Sequence, residues 1–491
     1  MRLSQLLHSI YPVPTAMDPT ITGLSQDSRS LETGYLFFAY RGLRYDGKHF
    51  IPQALAKGAA AILTELAVPE QIGSTIPILT IPNLTAYMGL IAARFYAYPS
   101  HHLQVVGFTG SNGKTSCSHF LAHCLTQLHH SCALIGTLGY GLYDQLRLGL
   151  LTTPDAIELH ALLADFLQKK VDYVSMEVSS HRLAQKRLNG MEFSVAVFTN
   201  LTRDHLDYHQ TMQAYAAAKR SLFSLPVAHS VLNADDSVAE NWLIPLYWEQ
   251  SVYAYSLHPP QKHLAKIPHV YARNFSCTAQ GIGAQVSTPW GEADFYNAHL
   301  LGSFNLSNSL AVLTALLLLN IPLKEAIHYL SQVRSSRGRM ECFGGGVLPQ
   351  IIIDYAHTPD ALAQVLQTVR SLCRGRVICV FGCGGDRDQG KRPLMGALAE
   401  RYADRVILTD DNPRTEDPQK IMADILKGFK QPKKVSVIHQ RSEAIKTSLQ
   451  CADVDDLVLI AGKGHETYQL VADRAQTCSD HAIVKTWLAT V

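Results

Sequence analysis

The sequence predicts an α/β protein of helix-covered parallel sheets, laid out in three successive blocks. Three observations carry this. Short apolar, strand-like runs alternate with helical stretches through the middle of the chain. One such run passes directly into a glycine-rich loop and then a helix. After residue 334 a unit of apolar strand plus polar turn repeats, and its strands are nearly all apolar, as strands covered on both faces are.

Up to residue 98, runs such as Gly34 to Gly42 (GYLFFAYRG) and Ala59 to Glu65 (AAAILTE) alternate with turns. Tyr96 to Gln104 (YAYPSHHLQ) reads as a link, so the first block is residues 1–98. The second block, 99–333, opens on Val105 to Ser116 (VVGFTGSNGKTS). It continues through the strand-like runs YVSMEV from Tyr173, VAVFTNL from Val195 and SVLNADD from Ser230. Its most apolar stretch, Leu310 to Leu319, is about half a bilayer span and reads as a buried helix. Polarity and glycine content rise at Arg334 to Glu341 (RSSRGRME), and the third block is 334–491. Its four repeated units begin at Ile351 (IIIDYAHTPD), Val377 (VICVFGCGGDRD), Val406 (VILTDDNPR) and Leu457 (LVLIAGKGHE). Ligands of open α/β sheets bind beyond the carboxyl ends of the strands, so these four ends are expected to converge on one pocket.

Composition narrows the function. The chain has 491 residues, 47 % hydrophobic and 17 % charged, enough for large buried cores. A formal charge of +2 gives no footprint for nucleic acid. The ten cysteines are scattered without metal or redox spacing and are expected to be free thiols in a reducing cytoplasm. Met1-Arg2-Leu3-Ser4 leads into a short amphipathic stretch and then Pro12 and Pro14, which is not a signal-peptide pattern.

The loop Gly110-Ser111-Asn112-Gly113-Lys114-Thr115-Ser116 lies between a strand and a helical run from Cys117 to Leu128. Inward-facing N–H groups and a helix N-terminus suit phosphate oxygens. Lys114 is expected to reach the β- and γ-phosphates and Thr115 to hold Mg²⁺. Phe108 stands where the common form of this motif has its first glycine. An ordinary glycine turn capping a helix is the plainer reading. Glu177 ends a strand in Met176 to His181 (MEVSSH), where an unpaired carboxylate is costly, and Mg²⁺ prefers oxygen ligands. Asp204, His205, Asp207 and His209 follow the next strand; each histidine alone reads as a cap or core residue. Lys219, in the helical run AYAAAKRSLF, alone reads as a solvated lysine.

Ten motifs occur in order: TGSNGKTS, LTTPD, MEVSSH, FTNLTRDHLDYH, AYAAAKRSLF, RGRME, DYAHTPD, GGDRDQGKRPLM, DNPR and AGKGHE. Together they resemble the Mur ligases of peptidoglycan precursor synthesis, from about residue 20 to 470, and within that family the branch that adds meso-diaminopimelate. The resemblance implies a small N-terminal α/β domain holding UDP-N-acetylmuramoyl-L-alanyl-D-glutamate. It implies a central P-loop ATPase-like parallel-sheet domain, and a C-terminal doubly wound Rossmann-like domain bringing the amino acid. Amide synthesis through an acyl phosphate, with ATP and Mg²⁺, by a cytoplasmic monomer without a membrane span or nucleic-acid partner, is the implied activity.

Residue by residue, the resemblance assigns Gly110 to Ser116, Asn308, Arg339 and Asp354 to ATP, and His357 to the groups closing on it. Glu177, His205, Thr115 and Lys219, the last as a carbamate, become Mg²⁺ ligands, which changes the solvated reading of Lys219. Gln26, Ser28, Thr152, Thr153, Ser179, Gln185 and Arg187 fall to the UDP-muramoyl dipeptide, with further uridine contacts expected near Leu43-Arg44-Tyr45. Arg392, Asp411, Asn412, Pro413, Arg414, Gly462 and Glu466 fall to diaminopimelate. Diaminopimelate has a carboxylate where lysine has none, and the fork of Arg414 suits it. Folylpolyglutamate synthetase-like and lysine-adding ligases are rivals, disfavoured by GGDRDQGKRPLM with DNPR. A nucleotide-controlled binding module is the rival from another class; it needs neither a carbamate lysine nor charged strand ends.

Overall fold

The structure, a computed structural model, describes residues 1–42, 46–66, 75–149, 151–472 and 474–490. The expected uridine contacts at Leu43, Arg44 and Tyr45 lie outside the described residues. The α/β expectation is met. Strands Gly23–Ser25, Tyr35–Ala39, Ala61–Thr64 and Ile78–Thr80 form a parallel sheet in chain order. A ten-stranded sheet runs in the order Gly291–Asn297, Gly281–Thr288, His269–Thr278, Val252–Ser256, Val227–Asn233, Phe193–Phe198, Gln104–Thr109, Tyr173–Glu177, Cys132–Gly136, Gly139–Leu142. The chain divides into two compact units, Met1–Gly107 with His129–Ala196 and Ala218–Ala228, and Phe108–Leu128 with Val197–Ala217 and His229–Val491.

In the second unit, a six-stranded sheet explains the repeated strand-and-turn pattern. Its order is Glu341–Gly344, Gln350–Asp354, Leu457–Ala461, Val377–Phe381, Arg405–Leu408, Ser436–Val437. All neighbours are parallel except the first pair, so the four sequence-marked strands end on one side. Side chains alternate between faces, and both faces are apolar. Ile351, Ile353, Ile378, Val380 and Ile460 pack with Ala444, Ile445, Leu449 and Val484 of two helices. Ile352, Cys379, Phe381 and Leu459 pack with Leu362, Leu366, Met395 and Ile421 of three others. Helices on both faces make this the doubly wound arrangement. The apolar run becomes helix Ser303–Leu318, buried nearly throughout. Among the described residues no helix is long and apolar enough to cross a membrane.

One wholly buried ion pair clamps two helices behind this sheet. Arg441 Nε and Nη2 each donate to the Asp480 carboxylate at 2.7 Å, and Nη2 also donates to the Ala461 carbonyl at 3.0 Å. Removing one partner strands a buried charge. Asp480→Ala should therefore destabilise the protein by about 3–5 kcal/mol, seen as an earlier urea midpoint. An unchanged midpoint would show that the pair is dispensable.

Candidate active site

The glycine-rich loop expected to take phosphate is shaped by its neighbours in the chain fold. Gly113 sits at φ +87°, where an added Cβ would lie 2.6 Å from Asn308 Oδ1, so glycine answers both the conformation and the close approach. This turn starts the helix at Lys114, three residues before the helical run expected from Cys117. Lys114 and Thr115 thus lie in its first turn, where backbone N–H groups remain for an anion. Segment 199–202 braces the loop: Ser111 N–H donates to the Asn200 carbonyl at 2.8 Å and Asn112 N–H to Asn200 Oδ1 at 2.9 Å. Thr199 Oγ1 donates to the Asn112 carbonyl at 2.6 Å. Lys114 Nζ is folded onto the loop, donating to the carbonyls of Gly110 at 2.8 Å and Ser111 at 2.9 Å.

Beside the loop lies a cavity of about 420 Å³, a size suited to a small-molecule ligand. Asn112, Gly113, Ser116, Asn308, Arg339 and Asp354 from the sequence reading all line it. Arg339 Nη2 donates to Thr115 Oγ1 at 3.0 Å, and its guanidinium lies 4.5 Å above the Tyr355 ring. Burial pushes Asp354 above the usual carboxylate range despite Arg339, and its carboxylate accepts from the N–H groups of Met340 and Ala356, each at 2.7 Å. The cavity also exposes acids that the sequence did not mark, Asp235, Asp236 and Asp360. Burial raises Asp360, whose Oδ2 accepts from Asn112 Nδ2 at 3.4 Å. Aspartates at strand and helix ends are common enough that spacing alone gave them no meaning.

A charged cluster lies next to it. Asp204, buried, is 3.3 Å from His205 Nε2, 3.5 Å from His357 Nε2 and 3.7 Å from Lys391 Nζ. Although burial opposes ionisation, the His357 contact and the surrounding positive groups hold Asp204 well below the usual range. Tyr215 OH meets Ser111 Oγ at 3.1 Å, and its ring packs against those of His205 and His209. Four residues along helix Met212–Arg220, Lys219 is only 1 % exposed. This corrects the reading of Lys219 as solvated: the short alanine-rich helix buries the face that carries it.

The strand ends of the six-stranded sheet gather most of the acidic and amide groups expected there. Asn412 Nδ2 donates to Glu466 Oε2 at 2.9 Å, and buried Lys463 donates to the same oxygen at 2.8 Å. Burial works against ionisation of Glu466, yet the Lys463 ammonium keeps it below the usual range. Gly462, at φ +108°, faces Asp411, where a Cβ would come 2.7 Å from Oδ2. Pro413 is buried in the same turn, and Gly385 N–H donates to the Asn412 carbonyl at 2.9 Å. Arg414 bridges to the Tyr468–Val471 strand, its N–H donating to Leu470 O at 2.9 Å. Its Nη1 donates to the Gly385 carbonyl at 2.8 Å, and burial followed by the Arg387 charge lowers its pKa.

Arg392 is occupied differently. Its guanidinium is fully buried, bonded to Glu416 at 2.7 Å and 2.6 Å and to Asp424 at 3.0 Å. The exposed arginine next to Arg414 is instead Arg387, in the same GGDRDQGKRPLM motif. Nothing in the local pattern separates the two arginines, because the carboxylates that claim Arg392 lie 24 and 32 residues away.

In the first unit, the remaining expected residues other than Ser28 are linked to one another through short chains of contacts. Glu177 ends strand Tyr173–Glu177 at 1 % exposure and accepts from Thr137 N–H at 2.7 Å and Thr137 Oγ1 at 3.2 Å. Thr137 also reaches Thr152, and Thr153 Oγ1 donates to the Glu177 carbonyl at 2.8 Å. Ser179 caps helix Ser180–Ala184, and Gln185 accepts from Arg182 Nη1 at 2.9 Å. Arg187, 5 % exposed, stacks 4.7 Å from the Tyr40 ring, and Tyr40 OH donates to Gln26 at 3.0 Å. Ser28 Oγ donates to Gln53 at 2.7 Å. Among the described residues no group of three or more His, Cys, Asp or Glu is placed to hold a metal ion.

Three family models match along the chain: the Mur ligase family catalytic domain over residues 20–96, the Mur ligase middle domain over 108–316, and the Mur ligase glutamate ligase domain over 338–464. The UDP-N-acetylmuramoyl-L-alanyl-D-glutamate–2,6-diaminopimelate ligase of Coxiella burnetii is 46 % identical over 480 residues, covering 97 % of both chains. The chain belongs to the Mur ligase family. The ligase of the same name from Pseudomonas aeruginosa is 46 % identical over 465 residues, covering 94 % of each chain. A solved structure of such a ligase superposes with a TM-score of 0.70 at 34 % identity, covering 100 % of this chain and 99 % of that one. The phosphate loop falls within the match to the Mur ligase middle domain, and the gathered strand ends largely within that to the glutamate ligase domain.

Proposed function

We propose that this Mur ligase adds meso-diaminopimelate to the D-glutamyl carboxylate of UDP-N-acetylmuramoyl-L-alanyl-D-glutamate. It is an ATP-dependent acid–amino-acid ligase. A carboxylate is a poor acyl donor at neutral pH. Its oxygen therefore attacks the ATP γ-phosphorus, ADP leaves, and an acyl phosphate results. The amine of diaminopimelate attacks the acyl carbon, loses a proton, and the C–O bond to phosphate breaks. Positioning and charge neutralisation dominate such chemistry.

Within this reading, the 1–98 block and residues such as Gln26, Ser28, Ser179 and Arg187 hold the UDP substrate. The 99–333 block holds ATP, with Lys114 leaving its loop carbonyls for the phosphates and Asn308 beside the base. The 334–491 block holds the amino acid. Thr115, Glu177, His205 and carbamylated Lys219 are the proposed Mg²⁺ ligands. Donor chemistry supports the fit: a hydroxyl and a buried carboxylate are hard oxygen donors, and a buried lysine gains an oxygen anion on carbamylation. Mg²⁺ supplies neutralisation of phosphate charge when bound.

Arg414 carries the choice of amino acid. It stands at the strand ends beside Asn412 and Glu466, and Arg387 stands next to it. Two guanidiniums suit the distal carboxylate of diaminopimelate and disfavour the terminal ammonium of lysine. We assign Arg387 to this clamp and Arg392 to holding its loop. ADP release would be measured with the UDP-muramoyl dipeptide against diaminopimelate isomers and lysine. The meso isomer should work and lysine should be at least about a hundredfold poorer in kcat/KM. Arg414→Ala should raise KM for diaminopimelate about a hundredfold with little change for ATP. Equal rises for both would make Arg414 structural, and ADP release needing neither acceptor would favour the switch reading.

A further inference from the structure

We propose that Tyr355 is a positioning residue that ties the nucleotide pocket to the amino-acid end of the site. The inference rests on the functional reading above and deepens it. Tyr355 follows the strand Gln350–Asp354 and touches both sides at once. Its ring face carries the Arg339 guanidinium at 4.5 Å, and Arg339 Nη2 reaches Thr115 of the phosphate loop at 3.0 Å. Its hydroxyl donates to Glu466 Oε1 at 3.3 Å, and the other oxygen of that carboxylate is shared by Asn412 and Lys463. The rings of His357 and His465 pack against it, with centroids at 4.7 Å and 5.3 Å.

Backbone packing makes this connection stiff. A Cβ on Gly338 would come 2.2 Å from His465 N, and one on Gly464 would meet both Gly338 O and the Tyr355 side chain. The Arg339 segment and the Lys463–Glu466 loop are thus pressed together with Tyr355 beside them. Burial and the Glu466 charge raise the Tyr355 pKa, so the phenol keeps the proton it donates. Movement of Arg339 as a nucleotide occupies the pocket is felt by the ring, and the ring's hydroxyl helps aim the carboxylate that receives the incoming amino acid. The cation–π contact and the O–H···O contact sit on different atoms of one side chain, which makes them separable.

Tyr355→Phe keeps the ring and deletes only the hydroxyl. It should raise KM for diaminopimelate about tenfold while KM for ATP stays within about twofold. Tyr355→Leu removes the face as well and should raise both constants, ATP by about fivefold. Thermal unfolding of both variants controls for loss of fold. As a second measurement, Glu466→Gln combined with Tyr355→Phe should cost no more for diaminopimelate than Glu466→Gln alone, because the hydroxyl acts through that carboxylate. Equal changes in both constants for Tyr355→Phe, no change in either, or additive costs in the double variant would overturn the inference while an active wild type leaves the functional reading intact. A wild-type enzyme without amino-acid-dependent ADP release overturns both.

Discussion

Replacing Lys219 by alanine should lower the rate of amide synthesis about a thousandfold or more, and acetate or formate should restore part of it. The reason lies in burial. Lys219 is 1 % exposed in helix Met212–Arg220, so a group carried on its Nζ is sheltered from bulk water and held in place. A neutral amine adds to CO₂: an N–C bond forms, one C=O π pair moves onto oxygen, a proton leaves nitrogen, and the neutral amine becomes a carbamate anion. Such an anion offers oxygen acceptors alone, as a hard divalent cation prefers. On the proposed carbamate reading, alanine removes that anion and leaves a space, which a small carboxylic acid can enter with the same charge. Density for a carbamate on Nζ in a crystal of the native enzyme would agree. An unmodified Nζ, or an alanine variant that no carboxylic acid rescues, would sink the assignment.

The second large effect is expected at Lys114. Its ammonium is satisfied by two carbonyls of its own loop, Gly110 and Ser111. Both bonds stay within one short loop, and a single intramolecular hydrogen bond contributes only about 1 kcal/mol net, so Lys114→Ala should shift the unfolding temperature little. Transfer of the γ-phosphoryl group is different: charge spreads over its oxygens and must be neutralised by groups already in place. The same substitution should therefore lower ADP release about a thousandfold or more. A folded variant with near-normal turnover would show that Lys114 only shapes the loop.

Much of the site was legible because its chemistry is local in the chain. A glycine with φ +87° directly before Lys-Thr, after a buried strand, is a strand–loop–helix unit that sequence spacing can express. Asp411, Asn412 and Glu466 sit past apolar runs, which marked them as strand-end groups, while their assignment to the amino acid came from the family resemblance. Asp235, Asp236 and Asp360 were not, because their meaning comes from facing one cavity across elements far apart in sequence. The start of the phosphate-loop helix was placed late because Gly113, not the first apolar residue, sets the turn.

By itself the sequence determined the α/β class, the apolar strands ending in polar turns, the phosphate loop and the family, since each is written in consecutive residues. Only the tertiary structure decided which groups are spent and which are offered. Arg392 and Arg387 stand five residues apart in one motif, yet Glu416 and Asp424 fold in to claim the first while the second stays exposed beside Arg414. Lys219 reads as a surface lysine until its helix is packed. Tyr355 is an aromatic residue after a strand until Arg339 covers its face and Glu466 meets its hydroxyl. Burial and partnership depend on what the fold brings from elsewhere, and no stretch of neighbouring residues contains that information.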